Sequence, residues 1–179
     1  MVITKEGPNS FKISQGDLVI AVNPESKLTS TITLFNTGRG VDGDRAGFVI
    51  NGPGEYEVRD VSVKGFLSEG ADKKINTIYI VNIEGMNLCI LGSLTSAELP
   101  AETIESLEDI DILFTPVNAY KLAVSLEPKL IIPMNYTPED LKKFLKDAGE
   151  DSVNPEEKLV VKKKDLDGKE GDIVVLKES

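Results

Sequence analysis

Short alternations of apolar and polar residues, closed by glycine-rich turns, fill the first half of the chain. They predict β-strands over residues 2–5, 11–14, 18–23 and 30–36. Gln15-Gly16-Asp17 predicts a hairpin turn between the second and third of these. Residues 37–47 are rich in Gly and Asp and predict a loop. Further strands are predicted over 48–50, 56–58, 61–67, 76–83 and 87–91. Asn51-Gly52-Pro53-Gly54 is a strong turn signal, and Glu84-Gly85-Met86 joins the last two strands as a hairpin. In residues 61–67, Val61, Val63 and Gly65 alternate with Ser62, Lys64 and Phe66, which gives that strand two distinct faces.

After Gly92 the period changes. Leu99, Thr103, Ile104 and Leu107 recur at near-helical spacing and predict a helix over 96–108, with Pro100 in its first turn. Strands over 111–115 and 130–133 alternate with a short helix over 119–126. A last helix opens at Thr137, the expected N-cap, with Pro138 at its first position, and stops at Gly149. Strands over 159–163 and 173–176 close the chain. Antiparallel β followed by alternating β and α predicts a layered α/β or α+β fold.

A chain of 179 residues fits one domain, taken as 1–179. Apolar residues make up 40% and charged residues 28%, a globular rather than a disordered balance. No apolar run approaches the ~20 residues of a membrane span, and the first residues lack the basic start and apolar stretch of a signal peptide. A cytoplasmic protein without a membrane partner is expected. The net charge of −10 disfavours a nucleic-acid partner. Lys162-Lys163-Lys164 is the best basic cluster, but Glu156, Glu157, Asp165 and Asp167 flank it, so a solvated strand end is expected there. The single cysteine, Cys89, lies in an apolar run and is expected to be a buried structural thiol. No histidine exists to serve as its base.

Several segments together resemble the metallo-β-lactamase superfamily. The most specific are Ile50-Asn51-Gly52-Pro53-Gly54-Glu55-Tyr56-Glu57-Val58, Ile75-Asn76-Thr77-Ile78-Tyr79, the stretch from Asp109 to Val117 and the stretch from Glu127 to Tyr136. The branch they resemble is that of small prokaryotic Zn-dependent hydrolase-like proteins, which includes relatives of ascorbate-6-phosphate lactonase. The resemblance implies a four-layer αββα sandwich across nearly the whole chain. It also implies a metal site in which imidazoles and carboxylates hold divalent ions and activate a water.

The metal ligands of that family are missing. Its histidine-rich motif falls on Asn36-Thr37-Gly38-Arg39-Gly40-Val41-Asp42, so Thr37, Arg39 and Asp42 stand at histidine positions and Val41 at that of an aspartate. A later ligand aspartate is replaced by Ser93, and the last histidine by Asn135. Upstream, the turn Gly7-Pro8-Asn9-Ser10-Phe11 departs from a histidine-bearing segment, and Asn23 stands where an aspartate precedes proline. The chain has no histidine at any position. The loops that carry ligands in the family are shortened, whereas the strands and the Gly-Pro-Gly turn are kept.

If the family fold holds, Thr37, Arg39, Asp42, Ser93, Asn118 and Asn135 are expected to surround a vestigial pocket. No catalytic residue, metal or cofactor is expected. Asp42 and Asp44 are read as a solvated pair at a loop tip rather than a cation site, because Arg45 follows them. Glu55 and Glu57 are read as edge or turn residues rather than an acid–base pair. Three roles follow: a non-catalytic binding or assembly module, partnered by a second copy of itself or by an active relative; a binder of small anions, phosphate or carboxylate, in the emptied cleft; and a hydrolase with a rebuilt carboxylate site.

Overall fold

The structure is a computed structural model that describes residues 1–26, 28–38, 47–95, 99–150 and 152–179. The first half of the chain builds strands β1 (Val2–Lys5), β2 (Phe11–Gln15), β3 (Leu18–Val22), β4 (Ile32–Leu34) and β5 (Phe48–Ile50). It continues with β6 (Gly54–Val58), β7 (Val61–Glu69), β8 (Ile75–Ile83) and β9 (Met86–Ile90). Helices α1 (Ala101–Ser106), α2 (Tyr120–Ser125) and α3 (Pro138–Asp147) alternate with β10 (Ile112–Pro116) and β11 (Leu130–Met134). The short strands β12 (Leu159–Val160) and β13 (Asp172–Ile173) end it.

The strands form two sheets, ordered β12-β1-β2-β3-β4-β5 and β13-β11-β10-β9-β8-β7-β6. The pattern of the first half suggested an antiparallel sheet throughout. Instead β3, β4 and β5 run parallel to one another. In the second sheet β6 to β9 are antiparallel and β9, β10, β11 and β13 are parallel.

Alternation explains the layers. Ile3, Ile13, Ile20, Ile32 and Leu34 of the first sheet meet Val63, Tyr79, Val81, Leu88 and Phe114 of the second in one buried core. Phe11 and Phe114 meet edge to face across it, ring centroids 4.9 Å apart. A second core fills the other face of the second sheet, where Ile78, Cys89 and Leu113 pack against Leu107, Leu122 and Phe144 from the helical segments. Burial of Cys89 pushes its thiol far above the ordinary range, as the apolar run around it implies. The result is the mixed α/β sandwich that the resemblance implied, two face-to-face sheets with helices outside. No helix among the described residues is long and apolar enough to cross a membrane.

Element boundaries differ from the pattern for local reasons. Helix α1 begins after Pro100, because a proline forces the residue before it out of the helical region. The capping box between Thr137 and Asp140 starts α3 where expected. Strand β12 is shorter than expected, and a 3₁₀ turn over Lys163–Leu166 follows it. That turn sends Leu166 into the core between the sheets and Lys163 to Asp111, at 2.5 Å. The basic cluster is therefore in part a structural tether. Asp111 is wholly buried and also accepts from Lys129 Nζ at 2.8 Å and from the Asn87 amide at 2.9 Å. Strand β6 is an edge strand, and Glu55 on it pairs with Lys64 at 3.6 Å.

Candidate functional site

The site grows out of the ends of β3, β4, β8 and β9. Asn36 lies just beyond β4, where the chain leaves the first sheet, and it is buried. Its side-chain Nδ2 donates to the Thr77 carbonyl at 2.6 Å and to the Ile90 carbonyl at 3.4 Å, both in the second sheet. Its backbone carbonyl accepts from the Thr77 amide at 2.7 Å. Its Oδ1 accepts from Asn23 Nδ2 at 2.7 Å, and Asn23 Oδ1 accepts in return from the Asn36 amide at 2.9 Å. Asn23 follows β3 with φ of 46°, a left-handed conformation that asparagine tolerates better than most residues. Its Nδ2 also donates to the Asn9 carbonyl in the β1–β2 turn, at 3.2 Å.

A second amide joint stands beside the first. Asn76, fully buried on β8, donates to Ser68 Oγ at 2.8 Å and to the Leu91 carbonyl at 2.9 Å. Its Oδ1 accepts from the Ser93 amide at 3.0 Å and from Ser93 Oγ at 3.3 Å. Gly92 sits between the two joints with φ of 68°, and a Cβ there would stand 2.4 Å from Asn76 Oδ1 and 2.6 Å from Asn36 Cβ. Only glycine fits, because the two asparagines close over its backbone.

What remains open is a small cleft of about 80 Å³. Asn9, Asn23, Glu25, Phe35, Asn36, Thr37 and Ser93 line it. Two expected pocket residues, Thr37 and Ser93, are therefore brought together. Arg39, Asp42 and Asp44 lie outside the described residues. Asn118 is exposed and lines a different groove, with Tyr120 and Asp140, between α2 and α3. Asn135 is exposed with φ of 53°; its amide donates to the Pro8 carbonyl at 2.9 Å, behind the turn that carries Asn9. It does not line the cleft.

The residues the expected set omitted are Asn9, Asn23, Glu25, Asn36 and Asn76. Asn9 and Asn23 were legible as departures from the family pattern. Asn36 and Asn76 were not, because they sit in segments that read as scaffold and their importance comes from contacts distant in sequence, across the two sheets for Asn36 and to Ser68, Leu91 and Ser93 for Asn76.

A family model described as beta-lactamase superfamily domain matches residues 2–135. This chain belongs to the metallo-β-lactamase superfamily. A candidate Zn-dependent hydrolase of that superfamily from Thermotoga maritima has 26% sequence identity and a TM-score of 0.80, with 99% of each chain covered. Igni18, a metallo hydrolase from Ignicoccus hospitalis, has 16% identity and a TM-score of 0.62, covering 90% of this chain and 99% of its own. An isothiocyanate hydrolase from Delia radicum gut bacteria has 8% identity and a TM-score of 0.65 over the same shares. These last two show the fold alone. No curated protein matches the sequence.

The superfamily implies a metal, and the donors among the described residues do not fit it. Zinc sites of this kind use imidazole, thiolate or carboxylate ligands. The chain has no histidine. The cleft offers neutral amides and hydroxyls with one carboxylate, and the amides of Asn23 and Asn36 are committed to each other and to backbone carbonyls. Among the described residues no group of three or more His, Cys, Asp or Glu side chains is placed to hold a metal ion.

Proposed function

We propose that this chain is a non-catalytic, metal-free member of its superfamily that acts as a binding or assembly module. The observation that carries this is the amide joint. At the cleft Asn23 and Asn36 hydrogen-bond each other, Asn36 ties the first sheet to the second through the Thr77 carbonyl, and Asn76 is committed to Ser68, Leu91 and Ser93. Each of these bonds occupies a donor or acceptor that a catalytic centre would need free to meet a substrate or a water. A second copy of the chain or an active relative is the partner this role calls for.

The cleft lining includes Glu25, and no Lys or Arg lines it among the described residues. That composition gives an anion-binding role no support. The test is a hydrolysis panel on tag-free protein with phosphodiester, lactone and β-lactam chromogenic substrates, each with and without added Zn²⁺ or Mn²⁺. The expected rate equals that of buffer with the same metal. A metal-dependent rate that scales with protein concentration would overturn the proposal.

A further inference from the structure

Among the described residues, one buried side-chain oxygen at the cleft is left unpaired. Asn9 Oδ1 is buried and has no hydrogen-bond partner among the described residues. Buried carbonyl oxygens are nearly always paired, because an unpaired one forfeits the hydrogen bond it made to water. Two other groups that line the cleft, the Glu25 carboxylate and the Thr37 hydroxyl, also form no hydrogen bond or ion pair with a described residue. Glu25 and Asn9 share one support, the β1–β2 turn. A Cβ on Gly7 of that turn would stand 3.3 Å from Glu25 Oε1, so glycine there is what lets the carboxylate close on the turn.

We propose that this cleft binds a primary ammonium group on an alkyl stem, an inference that rests on the metal-free role proposed above. Three uncommitted groups, Asn9 Oδ1, Glu25 and Thr37 Oγ1, can each accept, and an alkylammonium carries three N–H donors. The single negative charge of Glu25 matches a monovalent cation, whereas a divalent ion would be left undercompensated among neutral amides. A space of about 80 Å³ admits an ammonium head and a short stem, which excludes a large ligand from the inner cleft. The source of the ammonium is either a small free amine or the side chain of a lysine on a partner protein, and the two share this chemistry.

The test is an NMR titration of tag-free, ¹⁵N-labelled protein with ethylammonium chloride and, separately, with Nα-acetyl-lysine methylamide. Tetramethylammonium chloride, which has no N–H donor, serves as the matched-salt control. Saturable shifts at the Asn9 side-chain amide and at the backbone amides of Glu6, Gly7, Asn9, Ser10 and Thr37 are expected with the N–H donors only. Glu25→Gln and Asn9→Ala are each expected to weaken binding at least tenfold, whereas Asn9→Asp, which keeps an acceptor, retains it. Tighter binding of the lysine derivative assigns the site to a partner's lysine; tighter binding of ethylammonium assigns it to a free amine. Absence of saturable shifts, or equal shifts with tetramethylammonium, overturns the proposal. Binding that appears only after Arg39→Ala overturns it too, because the cation would then be the chain's own. Metal content is measured on the same samples. A failed titration of metal-free protein rejects the ammonium site alone, while a stoichiometric metal rejects the role on which it rests.

Discussion

Asn36 and Thr77 face each other across the gap between the two sheets and exchange two hydrogen bonds, Asn36 Nδ2 to the Thr77 carbonyl at 2.6 Å and the Thr77 amide to the Asn36 carbonyl at 2.7 Å. Asn36 stands immediately before Thr37, just beyond the end of β4, and its side chain ties the two sheets together at the edge of the cleft.

Replacement of Asn36 should therefore be costly. Asn36→Ala leaves the buried Thr77 carbonyl without that donor, while Asn23 Nδ2 keeps its bond to the Asn9 carbonyl. A loss of about 1–3 kcal/mol is expected from the orphaned carbonyl, read by urea denaturation. Asn36→Asp should cost at least as much at neutral pH, because it sets a carboxylate against a carbonyl, and part of the loss should return on acidification. A loss below about 1 kcal/mol for both, the size of one ordinary hydrogen bond, would show that the joint is dispensable.

Gly92 gives a steric test of the same region. Gly92→Ala places a Cβ 2.4 Å from Asn76 Oδ1 on a backbone with φ of 68°. Left-handed strain and overpacking together predict a loss of about 2–5 kcal/mol, seen as a fall in Tm. Gly16 is the control. It also has positive φ, 55°, but a Cβ there meets nothing within 4 Å. Gly16→Ala should therefore show only the strain, and equal effects at the two positions would refute the packing account of Gly92.

The far end of the second sheet should govern acid stability. Burial alone would push the Asp111 carboxyl up, but hydrogen bonds from Lys129, Lys163 and the Asn87 amide outweigh it and hold the group below its ordinary value of 3.8. A depressed folded-state value means that the stabilisation is full above the unfolded value and is lost as pH falls through the folded one. Asp111→Ala should cost about 1–3 kcal/mol at pH 7, discounted because both lysines are partly solvated. The gap between wild type and variant should narrow as the pH falls below 3.8. A gap independent of pH down to the acid transition would contradict the tether.

Cys89 should be chemically silent. It is fully buried, and burial pushes the thiol up, so little thiolate forms at neutral pH. Labelling by Ellman's reagent should proceed only at the rate of global unfolding and become immediate in denaturant. Rapid labelling of the native protein would remove Cys89 from the core.

Much of this was legible in the sequence, for reasons that differ by element. Strands with strict alternation, such as Val61–Glu69, and the capped helix at Thr137 carry their signal locally. The loss of metal ligands was legible because the histidine count is zero. The parallel pairing of β3, β4 and β5 was not, because pairing direction depends on where connections travel, and no residue pattern encodes that. The Lys163–Asp111 contact spans 52 positions and turns a cluster that reads as solvated into a tether. The amide joint was hidden for the same reason: Asn36 is an unremarkable polar residue until folding sets it against the Thr77 and Ile90 carbonyls of the other sheet. Of the expected pocket, Thr37 and Ser93 meet at the cleft because they sit at strand ends on facing sheets, whereas Asn118 leads into α2 and is carried to its outer surface.

The measurement that bears most directly on the metal-free role is metal content by elemental analysis of tag-free protein, after incubation with Zn²⁺, Mn²⁺ and Ca²⁺ and exhaustive dialysis. A histidine tag must be absent, since it would supply the imidazoles this chain lacks. The predicted result is far below one metal per chain, in keeping with amides committed to one another at the cleft. A stoichiometric metal that survives dialysis would contradict it and would make this chain a metalloprotein with a ligand set unlike that of its superfamily.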